Sequence, residues 1–326
     1  MKRLVLAATA AWGLAALAGQ AHAQAYPQRP VTMVVPFAAG GPTDIIARIV
    51  GDHMSKTLGQ QVVVENVAGA GGTTGITRAS QAQGDGYTIM MGHMGTHGAA
   101  PALDPNLKYD PAKDFQPIGL AAGTPIVIVA KKDFPAADLK SFLDYAKANQ
   151  TKLNMAHAGV GSVSHTTGVL FASTVDIKPT MVAYRGTGPA LNDLMANTVD
   201  FMTDQIVNVA SQVQGGTIKA YAIATPERSP ALPNVPTTKE AGLSGYEVSA
   251  WNAVFAPKST PKEIVDKLND ALVKALDDEN TRKRLLELGG VIPEKAERTP
   301  EALQKLVESE VARWTPVLKA AGAVAN

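Results

Sequence analysis

The side chains best suited to chemistry lie in Gly161-Ser-Val-Ser-His165, where two hydroxyls stand beside an imidazole. Nucleophilic catalysis needs such a pair, with His165 taking a proton from Ser162 or Ser164. The segment is not Gly-x-Ser-x-Gly, however, and Ser and His adjacent in sequence rarely point at one another. Small hydroxyl residues at a helix start more often cap it or meet a ligand oxygen. His93-Met-Gly-Thr-His97 raises metal binding. That spacing converges only on a helix; Gly95 and Gly98 predict a loop, and no carboxylate stands near as a third ligand. The charged residues nearest predicted strand ends are Asp44, Arg185 and Asp204. Asp44 falls in a first helical turn, where an acid stabilises the helix dipole by about 0.3–1 kcal/mol. Arg185 could pair with a carboxylate. Asp204 would repel a bare carboxylate but could accept a hydrogen bond from an amine or hydroxyl.

Backbone supplies the stronger signal. In Val31-Thr-Met-Val-Val-Pro-Phe-Ala-Ala-Gly-Gly-Pro-Thr-Asp44 an apolar run breaks at Pro36 and Gly40-Gly41 and restarts as a helix at Pro42. A strand feeding a helix through such a turn leaves several N–H groups pointing into one space, with the positive end of the helix dipole behind them. That arrangement suits an anion. Gly69-Ala-Gly-Gly-Thr-Thr-Gly75 follows a second strand but has Gly-x-Gly-x-x-x-Gly spacing. It therefore misses the dinucleotide fingerprint, and it lacks the Lys of a P-loop.

The elements that position these turns follow in order. Strands are predicted at residues 31–35, 61–65, 87–91, 126–130, 153–157, 179–184, 199–204 and 219–224, with an extended return over 246–255. Helices follow most of them, which argues for α/β architecture with mostly parallel sheets and ligands at the carboxyl edge of the strands. The proline-interrupted stretch 101–117 reads as a surface loop. Thr260-Pro-Lys-Glu263 and Thr299-Pro-Glu301 each carry an N-cap and a Pro at N1, and predict two closing helices.

Residues 1–23 have the parts of a cleavable leader: Lys2-Arg3, an apolar run from Leu4 to Ala18, and Ala21-His22-Ala23 before Gln24. The mature protein is expected in the periplasm without a membrane anchor. Cysteine is absent, so no disulfide supports the fold and no Cys nucleophile or Cys-based zinc site exists. The sequence has 30 basic and 29 acidic residues, and loss of Lys2 and Arg3 leaves a net charge of −1 with neutral histidines. Such a balance without basic clusters argues against nucleic acid as a partner.

As a set, several motifs resemble the extracytoplasmic solute receptors of tripartite tricarboxylate transporters, the Bug family. They are Tyr26-Pro-Gln-Arg-Pro30, Pro36–Asp44, Val64–Gly72, Ala158–His165, Tyr184–Ala190, Asp193 and Arg228–Thr237. One departure is Val67-Ala68, where the family usually shows Arg-Pro. The resemblance implies a two-domain periplasmic binding protein of type II, with the ligand between domains at residues 24–125 plus 247–326 and 126–246. It implies a small carboxylate held by Phe37, Ala38, Ala39, Gly40, Gly41 and Thr43 from one side, and by Gly161, Ser162, Ser164 and His165 from the other. Gly71, Gly72, Thr73, His93, Thr96, Tyr184, Gly186, Thr187 and Asp204 would complete the cleft. No metal, cofactor or catalytic residue is implied. The expected partners are the large and small membrane subunits of the transporter, met by a monomeric receptor. An exported serine hydrolase and a sensing domain feeding a signalling protein stand as the alternatives.

Overall fold

The computed structural model describes residues 26–323, so the expected leader over residues 1–23 lies outside the described residues. The apolar run Val31–Val35 forms β1, flanked in parallel by Val62–Asn66 (β2) and Thr88–His93 (β3). Pro42–Leu58 (α1) and Thr73–Ser80 (α2) make the crossovers. Gly59 ends α1 at φ +68°, the left-handed position that favours glycine. A short helix, Ala100–Leu103 (α3), precedes the long strand Phe115–Lys131 (β4).

The middle of the chain repeats the strand–turn–helix order. Leu139–Ala148 (α4) leads to Asn154–His157 (β5), Val163–Val175 (α5), Thr180–Ala183 (β6) and Thr187–Met195 (α6). Phe201–Gln205 (β7), Ile206–Gln214 (α7) and Ile218–Ile223 (β8) follow. Ser249–Pro257 (β9) returns to the first sheet, and Lys262–Asp277 (α8), Glu279–Glu287 (α9) and Pro300–Ala320 (α10) close the fold.

The strands lie in the order β2-β1-β3-β9-β4-β7-β5-β6, with β8 also on β4. Strand β4 serves both halves. Phe115 to Pro125 pairs antiparallel with β9, whereas Ile126 to Ala130 pairs with β7 and Val127 to Lys131 with β8. In each half four of five strands point the same way, and a single strand opposes them: β9 in the first, β4 in the second. The expected two-part, mostly parallel α/β architecture is therefore present. Ile46, Ile49, Val50 and Met54 of α1 share one core with Leu268, Leu272 and Leu276 of α8. That packing locks the C-terminal helices onto the first half.

Several local expectations need correction. Residues 101–117 are not simply a surface loop. Tyr109 and Phe115 are buried, and Phe115 already belongs to β4. Pro117, Gly119, Gly123 and Pro125 disguise this strand, and the first two sit at a shift in its register with β9. His93–His97 is not a loop either, because Gly95–Ala99 forms a π-helical turn. Thr260 does not cap α8; Pro261 occupies the N-cap position. Helices α7 and α9 went unpredicted, and α9 is capped by Asp278, which accepts from the Thr281 N–H.

Candidate functional site

Loops from the carboxyl ends of strands in the two halves meet face to face. The turn after β1 lies against the turn before α6: Ala38 N donates to Arg185 O at 3.0 Å, and Gly188 packs on the Ala39 and Gly40 backbone. The turn after β2 lies against the turn after β5. A methyl built on Gly71 would stand 1.7 Å from the Val160 carbonyl oxygen, and one on Gly159 would stand 2.8 Å from Gly71 N. Close approach of two backbones explains the glycines on both sides. The cleft is shut.

Behind these loops lies a cavity of about 20 Å³, lined from the first half by Phe37, Gly41, Pro42, Thr43 and His93. The second half contributes Ala158, Ser162, Val163, Ser164, Thr187 and Gln205. An outer groove of about 990 Å³ shares Ala158 with it; Ala38, Gly71, Thr73, Gly161, Tyr184 and Arg185 lie along its walls. The inner cavity has no Lys, Arg, Asp or Glu among its lining residues. Instead, four helices begin there: α1 at Pro42, α5 at Val163, α6 at Thr187 and α7 just after Gln205. Each N-terminus presents free N–H groups and roughly half a positive charge.

The side chains around the cavity are held by local bonds. Ser162 caps α5, its Oγ accepting from His165 N at 3.2 Å, and Ser164 Oγ accepts from Ala158 N at 2.9 Å. The two hydroxyls stand 3.3 Å apart. Among the described residues neither bonds to an imidazole nitrogen; the His165 ring instead receives Gly161 N at 3.5 Å through Nδ1. This is not the geometry of a Ser–His nucleophile. His93 stacks on Phe37 with ring centroids 5.0 Å apart, and its Nδ1 accepts from Thr96 N. Burial lowers the pKa of His93 and of His165 to about 4, so both rings are neutral at pH 7.

Of the residues singled out from sequence, Phe37, Gly41, Thr43, His93, Ser162, Ser164 and Thr187 come together in the inner cavity. Ala38, Gly71, Thr73, Gly161 and Tyr184 line the outer groove. Ala39, Gly40, Gly72, Thr96, His165, Gly186 and Asp204 line neither. Ala39 and Gly40 face the opposite side of their loop, and Gly72 sits behind Phe37 and Thr96. Asp204 is fully enclosed, accepting from Gln205 N at 2.8 Å and from Asn208 Nδ2. Burial raises its pKa to about 7, against hydrogen bonds from Asn208, Gln205 N and Thr187 that pull the other way.

Asp44 holds the first loop rather than the cavity. Its carboxylate accepts from Gly40 N at 3.0 Å, Arg48 Nε at 3.0 Å and Asn66 Nδ2 at 2.9 Å. Burial works to raise its pKa, but these bonds outweigh it and hold the group below the usual carboxylate range. Sequence reading missed Gln205, one residue past the Asp204 it singled out. An uncharged amide at a strand end carries no pattern of its own.

Comparison with known proteins agrees with this geometry. A family model described as "Tripartite tricarboxylate transporter family receptor" matches residues 46–323. MatC from Rhodopseudomonas palustris, solved with bound malate, is 48% identical, with a TM-score of 0.88 over 90% of this chain and 100% of that one. The periplasmic binding protein BugD is 44% identical, with a TM-score of 0.89 over 92% and 99% of the two chains. A second R. palustris protein, solved with adipate, is 33% identical, with a TM-score of 0.86 over 91% and 98%. No helix among the described residues is long and apolar enough to cross a membrane. Match and fold together show that the chain belongs to the tripartite tricarboxylate transporter receptor family.

Proposed function

We propose that this receptor captures a small carboxylate in the inner cavity and delivers it to the large and small membrane subunits of a tripartite transporter. The observation that carries the reading is the convergence of four helix N-termini on a cavity lined by hydroxyls and neutral rings. Anion recognition then comes from backbone N–H groups and helix dipoles. The malate and adipate held by the two R. palustris relatives support a dicarboxylate. A cavity of about 20 Å³ has room for about one water and not for a dicarboxylate, so binding requires the two halves to part and to reclose less tightly around the ligand.

The same reading takes residues 24–125 and 247–326 as one domain and 126–246 as the other, supported by the change of partners along β4 between Pro125 and Ile126. It takes the chain as a monomer, exported by a leader cut after Ala23, with no turnover of its ligand. The capping role of Ser162 supports binding over hydrolysis. Calorimetric titration with mono- and dicarboxylates, alongside mass spectrometry of any acid that co-purifies, is the test. Saturable binding of at least one small carboxylate, recovered intact, is expected. Failure of every one to bind, or hydrolysis of ester analogues, would overturn the reading.

A further inference from the structure

Gln205 is the last residue of β7 and the N-cap residue of α7, and it is 3% exposed. Its Oε1 is used twice: Thr124 Oγ1 donates to it at 2.7 Å, and Asn252 Nδ2 donates to it at 2.7 Å. Asn252, wholly buried on β9, is itself oriented by Thr43, whose Oγ1 donates to Asn252 Oδ1 at 3.1 Å. The chain of bonds therefore runs one way, from Thr43 through Asn252 to Gln205. An amide whose oxygen is occupied in this manner has its orientation set by the network. What remains is Nε2, and among the described residues no protein acceptor meets it, although Gln205 lines the inner cavity.

We infer that Gln205 is a further ligand-binding residue, whose side-chain Nε2 donates to a carboxylate oxygen of the bound ligand and is aimed by Asn252 and Thr124. The inference rests on the proposed carboxylate site. Its physical basis is direction: with its oxygen held by Thr124 and Asn252, the side chain offers the cavity only an N–H₂ donor, which an oxygen of the ligand satisfies. A cation or a second donor at that point leaves two donors facing each other. The Gln205–Asn252 bond also joins β7 of the second half to β9 of the first, so the group that reads the ligand is oriented by both halves.

The test is Gln205→Glu, which keeps the oxygen that Thr124 and Asn252 bond and changes only the remaining amide nitrogen. Gln205→Met serves as the second variant, with melting curves to establish folding. Each is titrated against malate, adipate and whichever small carboxylate binds the unaltered protein most tightly. A hydrogen bond to a charged group predicts a rise in Kd of roughly 10–100-fold for Gln205→Met. Gln205→Glu should lose more at pH 8 and recover part of the loss near pH 5, a pH dependence that a packing role alone would not produce. Unchanged or improved carboxylate affinity in folded Gln205→Glu would overturn the inference while leaving the carboxylate receptor intact. Absence of binding to the unaltered protein would overturn both.

Discussion

Gly71 and Val160 meet across the cleft so closely that one added methyl on Gly71 would stand 1.7 Å from the Val160 carbonyl oxygen. The two belong to different halves, so the contact exists only when the halves are together. Gly71→Ala should block closure and raise the ligand Kd at least tenfold. The ligand-free protein should lose only about 1–2 kcal/mol, from the left-handed backbone at φ +63°. Gly40→Ala is the control, with φ +84° but open space around its Cβ position. It should show the conformational cost alone. Titration calorimetry with melting curves separates the two, and equal affinity losses would contradict the steric account.

Asp44 predicts a loop effect without a ligand contact. Asp44→Ala frees Gly40 N and Asn66 Nδ2 and should cost about 1–3 kcal/mol, since partly buried donors lose their acceptor. Ligand affinity should fall as well, because the loop from Phe37 to Thr43 lines the cavity through Phe37, Gly41 and Thr43. Asn66 lies in the wall of the outer groove, so its reorientation should be visible in the amide spectrum of Ala38–Gly41. An unchanged spectrum would mean the loop holds its shape without this carboxylate.

Acid should destabilise the protein. Burial lowers the pKa of His93 and His165 from 6.5 to about 4, and lowers those of His97 and His157 as well. From pH 6.5 down to about 4 the unfolded chain therefore binds protons that the folded one refuses, and stability falls as pH falls. Asp204 has the opposite sign. Folded, it holds a proton up to about pH 7; unfolded, only to about 3.8, so its contribution is present at low pH and lost as pH rises. Four imidazoles outweigh one carboxyl, and Tm should drop between pH 7 and pH 4. Asp204→Asn removes the opposing group and should steepen that drop in calorimetric scans; a shallower drop would show that Asp204 does not titrate as described.

Glu310 offers a test of stability apart from binding. Its Oε2 accepts from Trp251 Nε1 at 3.1 Å and Trp314 Nε1 at 3.0 Å, tying α10 to β9. Glu310→Ala strands both indole N–H groups in the core and should cost about 2–5 kcal/mol. It lines neither the inner cavity nor the outer groove, so ligand affinity should stay within about twofold. A large change in Kd would reveal coupling between α10 and the cleft.

Much of this protein was open to reading from residue order. The β-branched run Val31–Val35, the stop at Gly59 and the Thr299-Pro300 helix start are local signals, set by steric and hydrogen-bond rules that act within a few residues, and they hold in the fold. The recurring glycine turns pointed to jaws on two sides, and the motif set pointed to the family. The first part of strand β4, from Phe115 to Pro125, escaped because Pro117, Gly119, Gly123 and Pro125 are locally loop-like, and only pairing with β9 makes an extended chain stable there.

The division of labour inside the cleft was decided by tertiary structure. Gly40 and Gly41 are neighbours, yet Gly41 lines the cavity and Gly40 instead gives its N–H to Asp44. Asp204 and Gln205 are neighbours too, and opposite fates follow from which side chain the strand turns inward. Asp204 is enclosed with Asn208, whereas Gln205 meets Asn252 from 47 residues further along. Sequence determines which local turns and helices form and what groups they carry. Which of those groups share one cavity depends on contacts between distant strands, and these exist only once the two halves pack and close.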